Sequence, residues 1–334
     1  MGSNNNEGYL VSNLNYAFSK PILHLSIAGL IVCLSNASHA GSLQASYGQL
    51  EQQVALQDKS ILTKPDGGAL SLSFDLDDHW NLSVGYQNLQ DNQSIDPTAS
   101  QSFSGQVNID LQTWSTAISY YHNAWSFSSQ YSVANDDTTI YLGNRLQEFR
   151  EEALKSTSLS GSVAYGWNNV NWFYNASIAA QYSDWDLRAQ QTMPNEVPQG
   201  DPREQSSQFV ETSGGNSSTV NASLSMARYW FLDQNKGVLV GALVAWNYVL
   251  SGESSTTARN GNNIPPPQSN NPRTPHTSSR SPSLSSIGDD NSGQFSLYLS
   301  YDISDTWSLD FDIAKGIGSD FNGQSWSIGS SYTF

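Results

Sequence analysis

The chain ends in a run of alternating side chains. Trp326, Ile328, Tyr332 and Phe334 share one side of an extended backbone, with Ser330 among them. Ser325, Ser327, Gly329, Ser331 and Thr333 share the other. A period of two predicts a β-strand with one apolar and one small, polar face. The same pattern recurs upstream as hairpins: Leu70–Leu76 and Trp80–Tyr86 flank a tight turn at Asp77, Asp78 and His79. Further copies join Trp114–Tyr120 to Trp125–Tyr131, Leu159–Tyr165 to Trp172–Tyr182, Val220–Phe231 to Val238–Tyr248, and Phe295–Tyr301 to Trp307–Ile313. With a first strand around Leu43, Ala45 and Tyr47, and the closing strand, twelve strands are expected.

Aromatic residues fall at two heights along these hairpins. Trp80, Trp125, Trp172 and Trp307 come directly after short turns. Tyr86, Tyr131, Tyr182 and Tyr248 lie toward the other end of their strands. Two aromatic girdles around an apolar band are expected where a closed sheet crosses a bilayer, because amphipathic rings favour its interfaces. A soluble β-sandwich also alternates, but it does not predict the rims.

The terminal Phe334 behind Trp326, Ile328 and Tyr332 resembles the C-terminal assembly signal of Gram-negative outer-membrane β-barrels. The resemblance implies an all-β fold: an antiparallel up-and-down transmembrane barrel of about twelve strands, with short periplasmic turns and long extracellular loops. It also implies integral residence in the outer membrane among lipid and lipopolysaccharide, and recognition of the last strand by the barrel-assembly machinery. Twelve strands and a terminal Phe resemble both autotransporter translocator barrels and small substrate-specific channels. The first strand begins just after the expected leader, which speaks against an autotransporter passenger.

Composition agrees with this picture. Charged residues are 13% and mean hydropathy is −0.45, too polar for a helical membrane protein but fitting strands that face lipid at alternate positions. Lys20, the apolar run Pro21–Leu34 and small Ser38 and Ala40 predict a secretory signal over residues 1–40, with the barrel over 41–334. Cys33, the sole cysteine, leaves with that segment, so the mature chain has no disulfide. The net charge of −16 argues against nucleic acid as a partner.

Much of that charge lies in the expected outer loops, at 136–155, 184–215 and 251–292. The last contains Pro265, Pro266 and Pro267 and few apolar residues, and is expected to stay mobile. In the first, Leu146, Phe149, Ala153 and Leu154 fall on one face of a helix over 145–155. By analogy with porins this segment is a constriction, with Arg145, Glu148, Arg150, Glu151 and Glu152 as its charged residues; a cap over the barrel mouth is the alternative.

The inward positions are mainly small and polar: Ser71, Ser73, Ser126, Ser128, Ser177, Ser223, Ser300 and Ser308 among them. Twelve strands lined in this way leave room for water. Asp75, Asp302, Asp310 and Asp312 are the inward acids, with no matching inward Lys or Arg. A passive channel for small neutral or cationic solutes follows as the leading expectation. Its rival is an adhesin- or receptor-like barrel whose acidic outer loops bind a partner. No enzyme, cofactor or metal is expected. His79 and His122 sit in turns, His276 sits in the long loop, and none has ligand spacing or a nucleophile partner.

Overall fold

The computed structural model describes residues 41–334, except 57–58, 96–104, 143–146, 194–206, 234–235, 261–291 and 318–322. The expected leader and most of the 251–292 loop, His276 included, lie outside the described residues.

Among the described residues fourteen strands form in chain order. β1 is Gly41–Leu50, and β2 (Gln52–Leu56) and β3 (Lys59–Thr63) make a small separate hairpin. β4 (Asp66–Asp75), β5 (Trp80–Ile95), β6 (Gly105–His122) and β7 (Trp125–Leu142) follow. β8 (Gln147–Asn169), β9 (Trp172–Met193), β10 (Ser207–Asp233) and β11 (Lys236–Asn260) are the longest. β12 (Ser292–Asp302), β13 (Trp307–Ile317) and β14 (Gln324–Thr333) complete the set. β1 and β4–β14 close into an antiparallel barrel of twelve, each strand paired with its sequence neighbours and β14 with β1. Gly41 and Phe334 exchange both backbone hydrogen bonds at 3.0 Å, which joins the two ends of the sheet.

Side-chain chemistry at the turns starts each return strand. Asp77 Oδ1 accepts from the backbone N–H groups of His79 (2.7 Å) and Trp80 (2.8 Å). Ser304 Oγ does the same for Thr306 (3.3 Å) and Trp307 (3.1 Å). These local bonds satisfy amides that the ladder cannot reach, and they place a Trp at the turn exit. Asn123 and Val170 open two-residue turns with φ of 54°, a conformation Asn tolerates and a β-branched residue adopts only under strain.

The outer wall is apolar. Leu70, Ile118, Phe127, Leu159, Ile178, Leu224, Leu297, Phe311 and Ile328 are exposed on it, with Trp and Tyr at its edges. Each rim carries both ring types, rather than Trp at one and Tyr at the other. At the short-turn end Trp80–Tyr120, Trp125–Tyr165 and Trp307–Tyr332 pair across neighbouring strands, each with centroids 4.9 Å apart. At the far rim Tyr86 packs on Trp114 at 4.3 Å and Tyr47 on Trp326 at 6.2 Å. Arg228 lies over Trp172 and Trp230, so a cation at the rim is held by ring faces.

The expected helix over 145–155 is not formed. β8 begins at Gln147, and Arg150–Leu154 pair with β7 on one side and β9 on the other. A ladder on both edges satisfies every backbone group of the segment, whereas an eleven-residue helix would have only its own bonds and one apolar stripe. The stretches 136–142, 184–193 and 207–215, expected as loops, are likewise strand. With strands of 22 to 27 residues, β8–β11 far exceed the roughly 9–11 residues that cross a bilayer. The barrel therefore has two storeys: one at the level of the apolar band, and one projecting beyond the Tyr86–Trp114 rim.

Candidate functional site: the barrel lumen

Within the lower storey the alternation sends serine inward, and facing serines bond one another across the strand pairs. Oγ–Oγ distances are 2.8 Å for Ser42–Ser73, 2.6 Å for Ser128–Ser162, 2.7 Å for Ser132–Ser158, 2.6 Å for Ser177–Ser223 and 2.5 Å for Ser308–Ser331. Each pair is directly opposite in register. Short hydroxyls that satisfy each other make a smooth polar wall with spare acceptor capacity toward the lumen.

The four inward carboxylates expected from the sequence all lie on this wall, in two places. Asp75 accepts from Asn81 Nδ2 at 2.8 Å beside the first short turn. Asp302, Asp310 and Asp312 lie together on β12 and β13: Asp310 faces Ser300, and Asp312 faces Tyr298. Asp310 accepts from Ser331 Oγ at 3.2 Å, and Asp302 from the hydroxyl of Tyr229 at 2.5 Å. Tyr229 and Tyr298 were missed by the serine-based reading of the lining. Their rings lie against Gly237 and Gly241, where an added Cβ would sit 2.1 Å and 2.2 Å from ring atoms. A glycine on the neighbouring strand, directly across from Tyr298 and two residues along from the partner of Tyr229, is the signal that would have found them. One side of the lumen thus combines carboxylates with two tyrosines, while no described Lys or Arg faces inward at this level.

In the upper storey the phase of the alternation carries different residues inward. Along β6 the inner positions change from Ser119, Ala117 and Ser115 to Leu111, Ile109 and Val107, while Asn108, Asp110 and Gln112 turn outward. Leu89, Val107, Ile109, Leu111 and Ile140 form a buried apolar cluster, with Leu50 packed against it. Trp185 is buried on the inner phase of β9, opposite Gly215. The mainly small, polar lining expected from the sequence therefore ends at the rim.

Of the residues expected in a constriction, Arg150 and Glu152 form an ion pair on the inner phase of β8, where they face Ile140 and Thr138. Glu151 is exposed on the outer face, the side chain of Glu148 is outside the described residues, and so is Arg145. The charged patch is split between the two faces of a strand, as a helix would not have split it.

On that outer face Asp137 faces Asp110 across β6–β7. Its side chain reaches solvent, yet surrounding protein partly desolvates it and the carboxylates of Asp110 and Glu151 crowd it, raising its pKa above the ordinary 3.8; Lys155 opposes the rise. An acid with a raised folded-state pKa holds more protons folded than unfolded between those two values, so stability falls as pH rises through that window. Asp137→Asn is expected to flatten this slope and to raise the neutral-pH thermal midpoint. A slope unchanged in pH-dependent melting curves would refute the assignment.

No family model and no curated protein matches the sequence. Solved structures do match its fold. The translocator domain of the autotransporter NalP from Neisseria meningitidis is similar at 10% identity and a TM-score of 0.55, over 96% of this chain and 98% of that one. The beta domain of the Bordetella autotransporter BrkA (12%, TM-score 0.48) covers 88% of this chain and all of its own. The transport unit of AIDA-I from Escherichia coli (13%, TM-score 0.48) covers 90% of this chain and 91% of its own. A closed antiparallel twelve-stranded sheet, apolar outside and polar within its lower storey, is the fold of an integral outer-membrane β-barrel.

Proposed function

We propose that this barrel is a passive channel for small neutral or cationic solutes. The observation that carries the reading is the inner wall of the lower storey: hydroxyl-lined, with Asp302, Asp310 and Asp312 on one side and no inward base among the described residues. Neutral polar solutes exchange water hydrogen bonds for serine hydroxyls at little cost, and cations gain from carboxylates in a low-dielectric wall. At this level anionic solutes meet repulsion with no compensating inward Lys or Arg among the described residues.

Reversal potentials in a salt gradient across a planar bilayer test this. Openings are expected to favour cations, and the pair Asp310→Asn and Asp312→Asn to bring the preference toward neutrality without changing the fold. Anion-selective openings, or selectivity indifferent to both substitutions, would end the reading. The receptor-like alternative places function on the outer connections, most of which lie outside the described residues.

A further inference from the structure

Several described bases of this barrel meet an acid. Lys64 pairs with Glu51, Arg150 with Glu152, and Lys155 faces Asp186 across β8–β9. Arg228 is different. It lies on the outer phase of β10, with Trp172 directly opposite on β9 and Val240 on β11. Its other outward neighbours are Met226 and Trp230 along the strand, and Tyr174 and Val238 on the diagonals. None is a carboxylate. The guanidinium is flanked by rings instead: its central carbon lies 5.4 Å from the Trp172 centroid and 5.1 Å from that of Trp230. Nε is buried and has no hydrogen-bond partner among the described residues.

Ring faces attract the charge of a guanidinium, but they do not accept the hydrogen bonds that its N–H groups offer in its own plane. A donor left without an oxygen at such a place is costly, so an acceptor from outside the protein gains by arriving. Its depth says what kind of acceptor that is. Trp172 is the first residue after its turn, in the girdle that Trp80–Tyr120 and Trp125–Tyr165 also mark, so Arg228 stands at the level of the lipid headgroups. The anionic oxygens that reach this level together with apolar tails are lipid phosphates. The wall beside Arg228 suits the tails: Val240 opposite, and Met226 and Leu224 toward mid-wall, are all exposed. The terminal nitrogens of an arginine take a phosphate through two parallel N–H···O bonds, and here no carboxylate competes for them.

We propose that Arg228, clamped between Trp172 and Trp230, is a binding site for the phosphate of an anionic phospholipid at the short-turn rim. The two indoles fix the plane of the fork before the lipid arrives, so little side-chain freedom is lost on binding. The site requires only that this face of β10 meets lipid, and it is independent of whether the lumen conducts.

Tryptophan quenching in vesicles tests it. The refolded full chain is placed in phosphatidylcholine bilayers with a rising share of phosphatidylglycerol, and brominated acyl chains are carried first by one lipid and then by the other. The signal of Trp172 and Trp230 is taken as the difference from a Trp172→Phe, Trp230→Phe barrel. Phosphatidylglycerol is expected to be preferred beside this pair by about fivefold, and Arg228→Gln to abolish the preference. Arg228→Lys keeps the charge without the fork and is expected to lose at least about half of it. No preference in the unaltered barrel, or the same preference in Arg228→Gln, overturns the site. Should Arg228→Gln fail to give the heat-modifiable band of a folded barrel, Arg228→Lys decides, and a full preference there overturns the fork. Exchanging chloride for inorganic phosphate at equal ionic strength separates the two sources of phosphate. An unchanged preference upholds the lipid, and a lost one assigns the site to the free anion and overturns the proposal.

Discussion

Removal of residues 324–334 is expected to abolish the barrel altogether. β14 pairs with β13 from Trp307↔Tyr332 to Lys315↔Gln324, and with β1 from Ser42↔Thr333 to Leu50↔Ser325. Without it both neighbours become open edges at bilayer depth, where each unsatisfied backbone group costs several kcal/mol. No local rearrangement recovers that sum, because closing β13 directly onto β1 would change the strand number and circumference of the whole sheet. The seam is also fitted in detail: a Cβ on Gly41 would come within 2.8 Å of the Phe334 ring. Loss of the heat-modifiable band on gels and of membrane-inserted protein should follow. A truncated chain that still inserts as a protease-resistant barrel would refute the argument.

The second large effect separates the two faces of a single strand. Ile178→Lys is expected to destabilise the barrel by about 2–4 kcal/mol, and Ser177→Lys, its neighbour, far less. Ile178 is more than half exposed on the outer wall, between the Trp172 and Tyr182 rims, where a lysine would lie in hydrocarbon. Ser177 hydrogen-bonds Ser223 inside the lumen, where an ammonium can keep water and lower the cation preference of any current. Denaturant unfolding from lipid vesicles measures the contrast. Equal losses at both positions would mean that the inside and outside of β9 are wrongly assigned.

Both predictions rest on features legible in the chain itself. Alternation with period two, Trp after four of the five short turns and a terminal aromatic run specify twelve antiparallel strands and which side of each faces lipid, because a bilayer admits no other arrangement of such strands. The acids Asp75, Asp302, Asp310 and Asp312 were placed on the inner wall by the same parity. What a single strand does not state is what it meets across the barrel. The run over 145–155 satisfies a helical stripe as well as a strand, and from Arg150 onward only ladders with β7 and β9 on either side decide for the strand. Tyr229 and Tyr298 enter the lumen because glycines on the neighbouring strands make room for them.

The upper storey is the instructive case. Val107, Ile109 and Leu111 alternate as regularly as the lipid-facing residues, but in the opposite phase to Trp114, Ile118 and Tyr120 on the same strand. Periodicity alone reports an apolar face, not which side of the sheet carries it; a continuous register through β6 is what turns these three inward. The sequence by itself determined the barrel, its membrane and its polar lower lumen. Only tertiary structure decided that the outer end is apolar and buried, because it takes the registers of β5, β6 and β7 to bring Leu89, Val107, Ile109, Leu111 and Ile140 together on the inner side, with Leu50 packed against them.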